Sequence, residues 1–154
     1  MDNTLAPDPR SLAERRLSIA SFVAYLACLA SPSFTALKDA WPGWFALIVG
    51  PIGVPLGYVA WLANPLLWYA WLAMSRERQV RAVVACAFAL PLALSFLLHP
   101  TIPVGSSGNY SFHVNFGYLL WLLSVVAALA AVYLGFCRAL KLPPPPPPTS
   151  AKAN

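Results

Sequence analysis

The sequence predicts an all-α, polytopic integral membrane protein with about four transmembrane helices and a possible re-entrant or interfacial segment. Of its 154 residues, 59% are hydrophobic and 10% are charged, whereas a soluble domain carries about 25% charged residues. Three long stretches lack Asp, Glu, Lys and Arg: Leu17–Leu37, Trp41–Ser75 and Ala82–Cys137. The three cysteines are widely spaced. This composition argues against a secreted disulfide scaffold and against nucleic-acid binding.

The first predicted crossing covers residues 15–37 and follows an N-terminal tail, residues 1–10. Ser11 and Glu14 have the spacing of a capping box, which predicts that a helix begins there. The break at Ser31-Pro32 leaves two interpretations open. Either the helix continues to Leu37, or the apolar run before the break is the core of a cleavable signal peptide.

The middle stretch is too short for two crossings and long for one helix. Its first half, Gly50-Pro-Ile-Gly-Val-Pro-Leu-Gly57, contains residues that weaken or interrupt a helix. Irregular backbone at membrane depth requires cover from protein or water. We therefore expect a re-entrant or interfacial segment at 44–55 and a crossing at 56–74, with one long kinked helix as the alternative.

The last stretch is interrupted by a polar, turn-rich segment, which predicts crossings at 80–98 and 117–137 joined by an outer loop at 99–116. Within the loop, residues 109–117 alternate between apolar and polar side chains, which indicates an extended piece. Such a piece could be a binding lid or a connector. Small residues recur every four positions in both crossings, which predicts close helix packing: Ala85, Ala89, Ala93, Ala127, Ala131 and Gly135.

Basic residues predict the orientation. With four crossings, nine of them fall on one side: Arg10, Arg15, Arg16, Arg76, Arg78, Arg81, Arg138, Lys141 and Lys152. The positive-inside rule makes that side, and both termini, cytoplasmic. Membrane lipids are then expected partners. Residues 143–154 begin with six prolines and are expected to form a disordered, Pro-rich cytoplasmic tail.

The interiors of the predicted crossings contain no Asp, Glu, Lys or Arg, since Arg15, Arg16 and Arg81 lie at their cytoplasmic ends. This removes the usual marks of a proton relay or an ion pathway. No nucleophile–base pair and no metal-ligand cluster is evident, so we expect neither an enzyme nor a cofactor or metal site. Two sets of residues remain candidates. The first is a polar or packing seam at Gly50, Gly53, Gly57, Asn64 and Pro65, and the second is an outer-face loop with His99, Asn109, His113 and Asn115.

Two side chains in the middle stretch have definite hydrogen-bonding needs. Pro65 lacks an N–H, so it frees a carbonyl one turn earlier, which the amide of Asn64 could satisfy. Trp61 lies deep in the predicted membrane and requires an internal acceptor for its indole N–H.

The motif Trp61-Leu-Ala-Asn-Pro65, followed by an apolar run and Arg76–Arg81, resembles a pattern in small uncharacterised bacterial multi-pass membrane proteins. The resemblance covers about Trp44–Cys137. It implies a bacterial inner (plasma) membrane location and no particular activity.

Three functional hypotheses follow. The first is a small membrane protein without catalytic chemistry, which acts by packing against a larger membrane protein or a second copy of itself. The second is an oligomeric pore or transporter for a small neutral or apolar molecule, built around Gly50–Gly57 and Asn64. The third is a membrane immunity or exclusion protein.

Overall fold

The computed structural model describes residues 11–36, 39–98, 101–103 and 109–141, and the side chains of these residues except 36 and 101–112. The two predicted tails, 1–10 and 143–154, and His99 lie outside these ranges. The described chain is mostly helical, with five α-helices and four short strands. The helices are α1 (Leu12–Ala30), α2 (Gly43–Gly53), α3 (Ala63–Ser75), α4 (Gln79–Ser95) and α5 (Phe116–Lys141).

The first helix begins as predicted and ends earlier than predicted. The Ser11 hydroxyl accepts from the backbone N–H of Glu14 at 3.2 Å and so caps α1. Ser31 is extended (φ −97°, ψ 153°), the conformation favoured before a proline, and Pro32 starts a strand. The predicted continuation of this crossing to Leu37 is wrong.

The middle stretch contains two separate helices. After α2, 3₁₀ turns at Val54–Leu56 and Val59–Leu62 lead into α3. Gly57 between them has φ +92°, a left-handed conformation that suits glycine and ends the helix. The alternative of one long kinked helix is therefore wrong. The predicted crossing at 56–74 is also not one continuous α-helix, since α3 begins at Ala63.

Four short strands form an antiparallel sheet. The prediction of an all-α fold did not include this sheet. They are β1 (Pro32–Ala36), β2 (Asp39–Pro42), β3 (Thr101–Pro103) and β4 (Asn109–Val114), in the order β2-β1-β4-β3. The predicted extended piece at 109–117 is confirmed over Asn109–Val114 as β4, and its last residues belong to α5, which begins at Phe116. The hairpin of β1 and β2 was not expected, because its apolar residues continue the hydrophobic run of α1. The predicted outer loop therefore includes two strands.

The two helices predicted at 80–98 and 117–137 are confirmed. α4 with its terminal 3₁₀ turn covers Gln79–Leu98, and α5 covers Phe116–Lys141. Among the described residues these are the two helices long and apolar enough to cross a bilayer, and their mean hydropathy values are 2.1 and 2.3.

Small residues form the centre of the fold, whereas many large apolar side chains lie outside. All six residues of the predicted small-residue stripes are buried. Alanines also make up half of the buried positions of α3. Large apolar residues of every helix are exposed, including Phe22, Ile48, Leu72, Phe88 and Leu123. A water-soluble protein normally buries such side chains.

Contacts between helix ends bring the described basic residues to one end of the helix bundle. The Arg138 guanidinium at the end of α5 pairs with the Glu14 carboxylate at the start of α1, at 3.1 Å. A Cβ at Gly135 would lie 2.8 Å from Oε1 of Gln79, so α4 also starts there. The sheet follows the last residue of α1 and precedes α5, and it therefore lies at the opposite end.

Candidate ligand cavity

An apolar, partly open cavity of about 340 Å³ lies in the half of the molecule that carries the sheet. Side chains from α1, β1, α2, the 3₁₀ turns, the first turn of α3 and the first turns of α5 line it. They are Tyr25, Cys28, Leu29, Ser33, Phe34, Gly43, Ala46, Leu47, Val49, Gly50, Ile52, Gly53, Leu56, Tyr58, Ala60, Trp61, Asn64, Phe96, Tyr118 and Trp121. The volume falls at the lower end of the range of about 300–1,000 Å³ for small-molecule sites.

Gly50 and Trp61 build the wall that α2 contributes. A Cβ at Gly50 would overlap the Trp61 indole ring, so glycine is what allows the ring to pack against the α2 backbone. The indole Nε1–H donates to the carbonyl of Leu47 at 2.9 Å. Pro51, which lacks an N–H, leaves that carbonyl without its helical donor. The internal acceptor that the sequence requires for Trp61 is thus the carbonyl freed by Pro51.

Asn64 joins three elements at the cavity. Its Oδ1 accepts from the Tyr25 hydroxyl of α1 at 3.2 Å and from the Trp121 indole N–H of α5 at 3.0 Å. Its Nδ2 donates to the carbonyl of Trp61 at 3.2 Å, which is the carbonyl that Pro65 frees. Asn64 thus makes the contact with the freed carbonyl that the sequence allows. The amide is buried, and its three bonds fix the relative positions of α1, α3 and α5.

The end of the cavity near the sheet is built by close backbone contacts. A Cβ at Gly117 would lie 2.6 Å from the Ser33 Oγ, and a Cβ at Gly43 would overlap the carbonyl oxygen of Cys28. The Asn115 backbone N–H donates to the carbonyl of Ser33 at 2.9 Å. These contacts hold β1 against α5 and the start of α2, and they leave Ser33 in the cavity wall.

The electrostatic character of the site is neutral. Among the described residues that line it, there is no Asp, Glu, Lys, Arg or His. Within the described part of the chain, no group of three or more His, Cys, Asp or Glu residues could hold a metal ion. The cavity therefore offers shape, apolar contact and a few hydrogen-bonding groups to a ligand.

Some of the site residues predicted from the sequence lie at the cavity and others do not. Gly50, Gly53 and Asn64 of the predicted seam line the cavity, whereas Gly57 and Pro65 shape the backbone beside it. In the predicted outer-face loop, Asn109 belongs to the backbone of β4 and His113 is exposed.

Asn115 has a structural role at the start of α5. Its Nδ2 donates to Thr35 Oγ1 at 2.7 Å, and its carbonyl accepts from the Tyr118 N–H. Neither His113 nor Asn115 lines the cavity.

Sequence reasoning missed Tyr25, Ser33 and Trp121 as site residues. Tyr25 and Ser33 lie on either side of the Ser31-Pro32 break and meet the site only because the chain turns there. Trp121 lies near the start of the crossing predicted at 117–137, far in the sequence from the predicted seam. Two features of the sequence could have indicated its contact with Asn64. The Trp121 indole N–H requires an acceptor, and the Asn64 side-chain oxygen can accept more than one hydrogen bond.

No protein-family model, curated protein or solved structure matches this chain. The resemblance to small bacterial multi-pass membrane proteins therefore stays a prediction, and the function must be argued from the fold and the cavity.

Proposed function

We propose that the chain is a multi-pass protein of a bacterial inner membrane, with four crossings and both ends cytoplasmic. α1 is about 28 Å long at 1.5 Å per residue, close to the thickness of a bilayer core. α3 with the 3₁₀ turn before it rises about 27 Å. Together with α4 and α5, these elements supply four antiparallel segments, and α2 becomes the re-entrant or interfacial segment.

Two observations support this arrangement. The core of small residues under a surface of large apolar side chains is typical of helices packed in lipid. The described basic residues at the ends of α1, α3 and α5 and at the start of α4 all lie at the Glu14–Arg138 end, where the positive-inside rule places the cytoplasm. The cavity then lies in the outer half of the membrane.

The topology has a direct test. A reporter fused after Lys141 should be active only in its cytoplasmic form. Of single cysteines placed along residues 48–56, those that react with a membrane-impermeant thiol reagent should do so from the outside only. A periplasmic signal at the fusion would remove one crossing. Reaction of the cysteines from both faces would contradict a re-entrant segment.

Within this topology, we propose that the protein binds a small neutral or apolar molecule and carries out no catalysis. The observation that carries this proposal is the 340 Å³ cavity with an uncharged lining. The Tyr25–Asn64–Trp121 hydrogen bonds fix its walls before any ligand arrives, which lowers the entropic cost of binding.

The packing hypothesis receives less support. The small-residue stripes on α4 and α5, which motivated it, are buried within this chain and are not available to a larger partner or a second copy. Partner packing, pore formation and membrane immunity remain predictions that rest on the sequence.

Cys28 provides a native reporter for the binding proposal because its thiol lies in the cavity wall. In a Cys86→Ala/Cys137→Ala variant reconstituted in lipid nanodiscs, dodecane should slow the reaction of Cys28 with methyl methanethiosulfonate. Ala46→Trp, which fills the cavity, should slow the reaction without dodecane and abolish the effect of adding it. Ala87→Trp, at an exposed position of α4, is the matched control and should behave as the parent. Unchanged Cys28 reactivity with dodecane would refute the proposal.

A further inference from the structure

The cavity wall holds a buried hydroxyl that lacks a strong hydrogen-bond partner. Ser33 is 8% exposed, and its Oγ has no hydrogen-bond partner among the described residues. The Cys28 thiol interacts with it, but a thiol is only a weak hydrogen-bonding group, so the hydroxyl has no strong partner. Buried polar groups in native proteins nearly always have a partner. An unpaired hydroxyl in the wall of a ligand-sized cavity therefore indicates a partner that the chain itself does not supply.

The other polar groups of the lining differ from Ser33 in this respect. Trp61 donates to the carbonyl of Leu47, and Trp121 donates to Asn64. The Tyr118 hydroxyl donates to the carbonyl of Ala93 at 2.8 Å, an acceptor near the end of α4. These bonds hold the wall together. Of the buried side-chain N and O atoms among the described residues, Ser33 Oγ is the one without a hydrogen-bond partner. It is therefore available to recognise an oxygen atom on a ligand.

Exposed apolar side chains border the cavity on the side of α2. Ile52 and Leu56 are the most exposed of its large apolar lining residues, at 71% and 65%. Both belong to the segment from α2 to the first 3₁₀ turn, whose neighbouring surface also carries exposed Ile48. In the proposed topology this rim contacts acyl chains of the outer leaflet. An opening to water would instead be lined by charged or polar side chains.

Resting on the proposed function, we propose that the cavity takes an uncharged, single-chain amphiphile dissolved in the outer leaflet. The chain occupies the apolar cavity, and a hydroxyl or carbonyl oxygen of the head forms a hydrogen bond with Ser33 Oγ. The uncharged lining disfavours carboxylates and amines, because a buried charge without a partner is costly. The volume of about 340 Å³ suits one chain and not a two-chain phospholipid.

The test compares three probes of equal chain length at equal mole fractions in the nanodisc: dodecane, 1-dodecanol and ionised dodecanoate. The readout is the protection of Cys28 from methyl methanethiosulfonate in the Cys86→Ala/Cys137→Ala variant. We expect dodecanol to protect at about three- to tenfold lower mole fraction than dodecane, the effect of one added hydrogen bond. Dodecanoate should protect least. Cys86, buried outside the cavity, should show no protection in a Cys28→Ala/Cys137→Ala variant.

Variants at Ser33 and at the rim test the two parts of the proposal, head-group recognition and entry from lipid, separately. Ser33→Ala should remove the advantage of dodecanol and keep the protection by dodecane, while Ser75→Ala, at an exposed serine of α3, should leave both unchanged. Ile52→Asp should delay the onset of protection when the probe is supplied from lipid. Ile48→Asp, equally exposed but outside the lining, should not delay it.

The outcomes are distinguishable. If no probe protects Cys28, both the proposed function and this inference fail. If dodecane protects and dodecanol is no better, or if Ser33→Ala leaves the advantage of dodecanol intact, only the amphiphile assignment fails. Equal protection by dodecanoate would overturn the assignment of an uncharged ligand. Equal delays in the Ile52→Asp and Ile48→Asp variants would overturn entry from the lipid.

Discussion

Trp61 donates its indole N–H to the carbonyl of Leu47 at 2.9 Å, and this carbonyl is one that Pro51 leaves without a donor inside α2. One hydrogen bond therefore satisfies both the Trp61 indole N–H and the Leu47 carbonyl, which would otherwise lack a partner in an apolar environment. It also joins α2 to the 3₁₀ turn that leads into α3. Pro51 and Trp61 are ten positions apart in the sequence, so their relationship depends on the turn at Gly57.

Replacement of Trp61 by Phe should detach this wall from the rest of the fold. The change removes the donor and leaves the Leu47 carbonyl unsatisfied, at a cost of about 1–3 kcal/mol. Thermal unfolding in detergent and proteolysis within residues 43–58 should both show the loss. Trp44→Phe, at an exposed tryptophan of α2, is the control. Equal stability of the two variants would contradict a structural role for the Trp61–Leu47 bond.

Replacement of Asn64 by Ala should be more damaging, because it deprives the Tyr25 hydroxyl and the Trp121 indole N–H of their acceptor. It also removes the side-chain donor to the Trp61 carbonyl, which keeps the backbone N–H of Ala63. We expect a loss of at least about 2 kcal/mol in the free energy of unfolding. Tyr25→Phe should cost less, about 1 kcal/mol, since one bond disappears with its donor. Tyr69→Phe, at an exposed tyrosine of α3, should be neutral.

The coupling between Tyr25 and Asn64 gives a separate prediction. In a Tyr25→Phe/Asn64→Ala double variant, the loss should be smaller than the sum of the two single losses, because both remove the same bond. Chemical unfolding of the four proteins measures this difference. Strict additivity would show that the 3.2 Å contact contributes nothing to stability.

Much of the helical fold could be predicted because local signals agree with it. The cap at Ser11, the long apolar runs of α4 and α5 and their small-residue stripes need no knowledge of distant contacts. The period of two at residues 109–114 likewise indicates a strand. The β1–β2 hairpin could not be predicted in this way, because its partners include β4, which is far away in the sequence.

The candidate site could be predicted only in part, for a related reason. Pro65 and Asn64 are adjacent, so their relationship follows from helix geometry. The contacts of Asn64 with Tyr25 and Trp121 depend on how α1 and α5 approach α3. The unpaired state of Ser33 depends on the close approach of Gly43 and Gly117. Such properties come from tertiary packing and have no pattern of spacing in the sequence.

Gly50 and Gly57 should respond differently to substitution, since one is required for space and the other for backbone conformation. Gly50→Ala should disrupt the wall, because its Cβ overlaps the Trp61 ring. Gly57→Ala has free space around the new Cβ and suffers only from φ +92°, at a cost of about 1 kcal/mol. Gly57→Asn should recover part of that loss, since Asn tolerates the left-handed region. Recovery in a Gly50→Asn variant as well would contradict this distinction.

The ion pair between Glu14 and Arg138 should matter more than the other charges at the same end. The Glu14 carboxylate is 4% exposed and lies 3.1 Å from the guanidinium. Loss of one partner of a buried pair is costly. Because Arg138 is partly exposed, water screens this pair, and we expect Glu14→Gln to lower the free energy of unfolding by about 1–2 kcal/mol. Glu77→Gln, in the exposed turn between α3 and α4, should change stability little. A Glu14→Arg/Arg138→Glu exchange should recover part of the lost unfolding free energy, and no recovery would show that Glu14 acts through its fit and not its charge.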